Sequence, residues 1–211
     1  MFLSSRLPNT KPETVSYNSR AGQYVVKGRF ISESDIEALA IVEKNTLSTK
    51  LERLTEKLIN DVIDIPVWEQ EFTNILKKSH IRLTILASGG QSRTGLNSYG
   101  IAGRRLKEEY NLLNRFAIAL SNGELSANQA RQRAKMYAQS TVQTYYEAYY
   151  FNKKREGFIK AKRDLDPLAN HCKSCLSHVT NGWVDIDQIV PKGAKCECRG
   201  NCQCRITYRR F

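Results

Sequence analysis

The sequence predicts a mainly α fold: a bundle of long helices, a small cysteine-rich module after it, and an extended arm before it. Three observations carry this. Apolar residues recur at three- and four-residue spacings through most of the chain between Ser34 and Tyr150. Proline and glycine, which punctuate helical runs, fall at Pro66, Gly89-Gly90 and Asn122-Gly123. All six cysteines follow Asp166-Pro167. These signals divide the 211 residues into an arm (1–33), a helical domain (34–165) and a C-terminal module (166–211).

Residues 1–33 hold Pro8, Pro12, Gly22 and Gly28 and show no helical period. Tyr24-Val25-Val26 and Phe30-Ile31 suit one short strand or hairpin, laid against the body or another subunit, with disorder as the alternative. Ser34-Asp35-Ile36-Glu37 has the spacing of a capping box. Behind it, Leu47, Leu51, Leu54, Leu58 and Val62 form one helical stripe to about residue 63, with Asn45-Thr46 a candidate break. Pro66 suits the first turn of a second helix. Trp68, Phe72, Ile75, Ser79, Leu83 and Leu86 line that helix, and Gly89-Gly90 ends it.

Tyr99, Ala102, Leu106, Tyr110, Leu113, Ala117 and Leu120 predict a third amphipathic helix, stopped at Asn122-Gly123. Ser126 and Gln129 offer another capping box. A fourth helix is expected from there to about Arg163, carrying Ala130, Ala134, Tyr137, Thr141, Tyr145 and Tyr149. Four such segments with short connections read as a bundle. The stripes contain no inward ionisable group, so they predict a core and not a cofactor box.

Net charge is +12, and residues 151–211 carry 13 Lys and Arg against six Asp and Glu. That skew points to an acidic partner, most simply nucleic acid. Lys153, Lys154, Arg155, Lys160, Lys162 and Arg163 are the candidate phosphate contacts. The neighbouring tyrosines Tyr137, Tyr145, Tyr146, Tyr149 and Tyr150 suit a helix or subunit interface, or stacking on bases. No apolar run approaches a membrane span, and the opening residues lack the apolar core of a signal peptide.

Without an export signal, six cysteines read first as metal ligands, with disulfides the alternative in an oxidised particle. Cys172-x2-Cys175 is a knuckle whose two thiolates can reach one ion. Cys196-x-Cys198-x3-Cys202-x-Cys204 supplies the return pair. Zinc takes four such ligands in a tetrahedron, and a closed site is structural. Cys172 and Cys175 come first, with Cys198, Cys202 and Cys204 competing for the other places and Cys196 spare. His171 and His178 flank the knuckle and could each replace a sulfur. Trp183, Ile186, Ile189 and Val190 are expected to cover the site, and Ile206 with Tyr208 to add a closing strand.

The motifs of P-loop proteins, serine hydrolases, zinc proteases and zinc deaminases are missing. His80 has no acidic or thiol neighbour in sequence, and Ser88-Gly89-Gly90-Gln91-Ser92 is only a weak candidate phosphate loop. The chain is therefore not expected to be an enzyme.

The string Asn170-His171-Cys172-x2-Cys175, Gly182-Trp183, Pro191-Lys192-Gly193, Cys198-x3-Cys202-x-Cys204 and Tyr208 resembles the end of phage minor head proteins of the Mu F type, the head morphogenesis proteins. The helical run from Gly103 to Leu165 is similar in layout to the helices before that module, and Cys196 stands outside the pattern. The resemblance covers about 100 residues. It implies a virion structural protein, assembled in the host cytoplasm, that contacts capsid or portal subunits and packaged double-stranded DNA and is oligomeric, with a structural zinc and no membrane. A zinc-ribbon DNA-binding regulator is the rival expectation.

Overall fold

The computed structural model describes residues 10–211. Residues 1–9 of the predicted arm, Pro8 among them, lie outside the described residues. The rest of the arm is a three-stranded antiparallel sheet: β1 (Val15–Asn18), β2 (Gln23–Val26) and β3 (Arg29–Ile31), in the order β1-β2-β3. Alternation puts Tyr24 and Val26 inward, onto the bundle. The sheet thus finds its apolar partner within its own chain.

Four long helices follow: α1 (Glu33–Ile59), α2 (Ile65–Ser88), α3 (Leu96–Ser121) and α4 (Ala127–Arg155). The first begins at Ser32 and not at Ser34. Ser32 Oγ accepts the Asp35 amide while the Asp35 carboxylate accepts the Ser32 amide, a shorter acid doing what Glu37 was expected to do. Asn45-Thr46 lies inside α1 without breaking it, because tertiary packing outweighs the weak helix preference of two residues. Asp64 and Ser126 cap α2 and α4, the latter with the expected Gln129 box.

Gly89 ends α2 at φ 78°, and Gly90 follows at φ 111°. A Cβ on Gly89 would stand 2.6 Å from Tyr17 Cβ, and one on Gly90 2.5 Å from the Val15 carbonyl oxygen. The two glycines let β1 cross the end of α2, which accounts for the segment without a phosphate.

Two apolar clusters fill the bundle. One joins Tyr24 and Val26 to Ile36, Leu83, Val142 and Tyr145; the other gathers Leu51, Trp68, Phe72, Leu113, Phe116 and Tyr137. Between them on α1, α2 and α4 lies a polar layer of Glu43, Ser79, His80, Thr141 and Thr144. No helix among the described residues is long and apolar enough to cross a membrane.

α4 stops at Arg155, eight residues short of its expected end, and Gly157 follows at φ 81°. The next segment is a strand, β4 (Lys160–Asp164), flanked in an antiparallel sheet by β5 (Val184–Asp185) and β6 (Arg205–Arg209). The C-terminal module therefore starts near residue 158 and not at 166. The expected closing strand through Ile206 and Tyr208 is β6. A six-residue helix, α5 (Lys173–His178), carries the knuckle.

Candidate metal centre

Cys172 is the N-cap of α5, and its sulfur accepts the Cys175 amide at 3.4 Å, as a serine oxygen would at a helix start. The second thiol of the C-x2-C pair thereby falls in the first turn, beside the first. Cys198 and Cys202 bracket a single 3₁₀ turn, Arg199–Asn201, and Cys204 immediately precedes β6. These turns bring the Cys175 sulfur to 3.4 Å from Cys198 and 3.8 Å from Cys202. All six thiols are free.

Two overlapping donor sets result. Cys175, Cys196, Cys198 and Cys202 have sulfurs all within 4.8 Å of one another, as do the donors of His171, Cys175 and Cys204. A four-sulfur set of this size suits a soft, tetrahedral cation. The cluster can hold a metal ion. Cys196, expected to be spare, is buried within the four-sulfur set, whereas Cys172 lies at its edge. His178 turns away, Nε2 donating to the Lys195 carbonyl at 3.3 Å.

Arg163 completes the centre. Its side chain is fully buried, with Nη1 donating to the Val190 carbonyl at 2.9 Å. Nη2 faces sulfur: Cys196 at 3.1 Å, Cys202 at 3.5 Å, Cys204 at 3.6 Å and Cys175 at 3.9 Å. A buried guanidinium needs counter-charge, and sulfur anions supply it. Burial raises the Cys202 thiol, but amide donors and the Arg163 charge outweigh it and hold the thiol at about 7. At Cys172, amides donating to the sulfur likewise overcome burial, again giving about 7. Burial and neighbouring sulfurs push Cys198 up to about 12 and Cys175 higher still. A cation arriving here displaces protons from the raised thiols.

The residues expected to cover the cysteines pack elsewhere. Ile186 and Ile189 join Ala161 on the sheet, and Trp183 lies under the Arg209 guanidinium at 4.4 Å. The module is fixed to the bundle through Gly200, where a Cβ would come 2.0 Å from the Gln139 carbonyl oxygen of α4. Lys192 pairs with Glu37, and Lys44 Nζ donates to Asn201 Oδ1 at 3.2 Å.

Two of the six predicted phosphate contacts face inward. Lys153 is buried against Glu33 and the rings of Tyr149 and Phe158, and Arg163 sits among the sulfurs. Three more are paired with acids: Lys154 with Asp187, Lys160 with Asp185, and Lys162 with Asp164. Arg155 donates to the Arg93 carbonyl. The string of bases so prominent in sequence is largely neutralised by its own fold. The tyrosines are occupied too. Tyr137 and Tyr145 lie in the two clusters, Tyr146 donates to Glu37, and Tyr150 donates to the Ile186 carbonyl. They form internal contacts, Tyr137 and Tyr145 among the helices and Tyr149 and Tyr150 against the module, and not a stacking surface.

The bundle does hold inward ionisable groups, contrary to the stripe reading. His80 Nε2 lies 2.9 Å from Glu109 Oε2, and Nδ1 lies 2.7 Å from Thr144 Oγ1. With Nε2 donating to the carboxylate, Nδ1 accepts from the hydroxyl. His80 and Thr144 have no exposed surface. Glu109 is one residue from the Tyr110 of the predicted stripe, so only the spatial approach of α2 and α3 exposes the pair.

No family model matches the chain, and neither do curated proteins or solved structures.

Proposed function

We propose that this chain is a non-enzymatic structural protein of a tailed-phage particle, a minor head component that contacts capsid or portal subunits and carries a structural zinc. The observation that supports it most is the convergence of all six thiols into one cluster, inside the string similar to the Mu F type. With more donors than one tetrahedral ion needs, no coordination place is left for a reacting water. The His80–Glu109–Thr144 chain fits the same reading, since the His80 ring and the Thr144 hydroxyl are buried and already bonded to each other.

Contact with packaged DNA passes, in this reading, to the exposed Arg199, Arg205, Arg209 and Arg210. These would neutralise phosphates without reading bases. The experiment is co-expression with the portal and major capsid proteins of the same genome, followed by isolation of heads. Retention of the chain in heads at high salt is the expected result. A free protein that prefers one DNA sequence about a thousandfold over bulk DNA would instead identify a regulator.

A further inference from the structure

The four-sulfur set satisfies one tetrahedral ion, yet two cysteines and a histidine remain in contact with it. Cys175 belongs to both donor sets, and the second set adds His171 and Cys204. His171 Nε2 lies 2.7 Å from the Asp166 carbonyl oxygen, so this nitrogen carries the proton and Nδ1 keeps a free lone pair. Metal-binding histidines are held in this way, with the second nitrogen donating to a backbone carbonyl. The Cys172 sulfur accepts the Cys175 amide, next to this group.

We propose that the cluster is binuclear: two zinc-type cations share the Cys175 sulfur, one completed by Cys196, Cys198 and Cys202, the other by His171, Cys172 and Cys204. The inference rests on the reading of the cysteine cluster as a metal centre. The second set has three donors as it stands, and Cys172, whose sulfur accepts the Cys175 amide beside it, is the thiol that would close in as the fourth; seven donors with one shared then give eight bonds, four to each ion.

Charge supports the count. Six thiols release their protons to solvent, two divalent cations replace them, and the inner shell is left doubly negative. Arg163 donates to sulfurs of both sets, Cys196 and Cys202 on one side and Cys204 on the other, and so offsets one of those charges where water does not reach. A single ion bound by the four-sulfur set would leave Cys172 and Cys204 without a metal and His171 Nδ1 without a partner in that set.

The test is metal content of full-length protein purified under reducing conditions from zinc-replete cells. Two zinc ions per chain are expected. One ion overturns the binuclear centre while leaving a metal site, and none overturns the metal reading itself. Cys204→Ser should lower the content from two to one with the helical signal unchanged; a variant that keeps two also overturns the assignment. Cadmium-113 exchange gives a readout independent of variants. Two resonances split by each other through the shared Cys175 sulfur are expected, and a single resonance, or two without mutual splitting, refutes the shared vertex.

Discussion

Arg163 Nη2 lies 3.1 Å from the Cys196 sulfur, at the inward face of a strand whose outward residues Lys160 and Lys162 hold Asp185 and Asp164. A buried cation facing four sulfurs acts on the sulfurs and not on solvent. Arg163→Met should therefore weaken metal binding by about 10–100-fold, the usual effect of losing an outer-shell partner. Arg163→Lys should fall between, because it keeps the charge and loses the planar fork. Chelator competition measures both, and equal affinities for all three proteins would deny Arg163 this role.

Metal removal should act locally. The cysteines belong to neither apolar cluster of the bundle, so chelation should free the module while α1 to α4 persist. Limited proteolysis after chelation should leave a core ending near Arg155. A single cooperative loss of all helical signal would show instead that the bundle depends on the ion. Cys172→Ser should resemble Cys204→Ser, losing one ion and leaving the four-sulfur set loaded.

The docking of the module on α4 is tight at Gly200. Gly200→Ala must move the Gln139 carbonyl or Val142, whose Cγ1 stands 2.5 Å from the new carbon. Overpacking of this kind costs about 1–3 kcal/mol. Gly103→Ala, in α3 with nothing within 4 Å, should stabilise by about 0.5–1 kcal/mol. Urea midpoints of the two variants should shift in opposite directions.

The buried pair in the polar layer should be costly to break and cheaper to remove whole. Glu109→Ala leaves the buried His80 Nε2–H without its acceptor, at a cost of about 1–3 kcal/mol. Glu109→Leu combined with His80→Leu should cost less than the sum of the two single changes. A denaturation cycle showing simple additivity would mean the two side chains do not interact.

Alkaline pH should loosen the apolar cluster that joins β2 to α1, α2 and α4. Burial raises Tyr24, Tyr145, Tyr146 and Tyr149 well above the ordinary 10.0, with nearby carboxylates adding to the effect. A raised acid stabilises the fold fully below its unfolded value and loses that contribution as pH climbs above it. Stability should decline from about pH 10 upward. Tyrosinate absorbance for these rings should appear together with loss of helical circular dichroism, and ionisation well before it would place the rings in water.

The four helices are legible because each has a periodic apolar stripe, and because a capping side chain opens α1, α2 and α4 while a glycine follows the ends of α2, α3 and α4. Their edges are less so: Ser32 and Ser34 both offer a cap, and only the path of β3 into α1 selects Ser32. Beyond Arg155 the sequence misleads for a definite reason. Lys160-Ala161-Lys162-Arg163 contains no breaker, and its two-residue alternation is masked by having a cation at three of four places. Taken as helix, Arg163 joins a basic run; taken as strand, it points inward. The cysteine spacing announces a thiol site, but six sulfurs do not rank themselves, and Cys196 enters the cluster through the turn that also docks Gly200. His80 and Glu109 lie 29 residues apart on separate helices, so no local pattern could pair them.

β6 runs antiparallel to β4, with Arg209 opposite Lys160 and Arg205 opposite Asp164. Arg209 therefore lies beside the start of β4, and Phe211 beyond it is almost wholly exposed. Tension on Phe211 would load the ladder at its open end, peeling one pair at a time from Arg209 toward Arg205. Peeling stops at Cys204, where the thiol cluster begins. Residues 205–209 are thus held by strand pairing and by the packing of Ile206 and Tyr208, whereas the chain up to Cys204 is held by the thiol cluster as well.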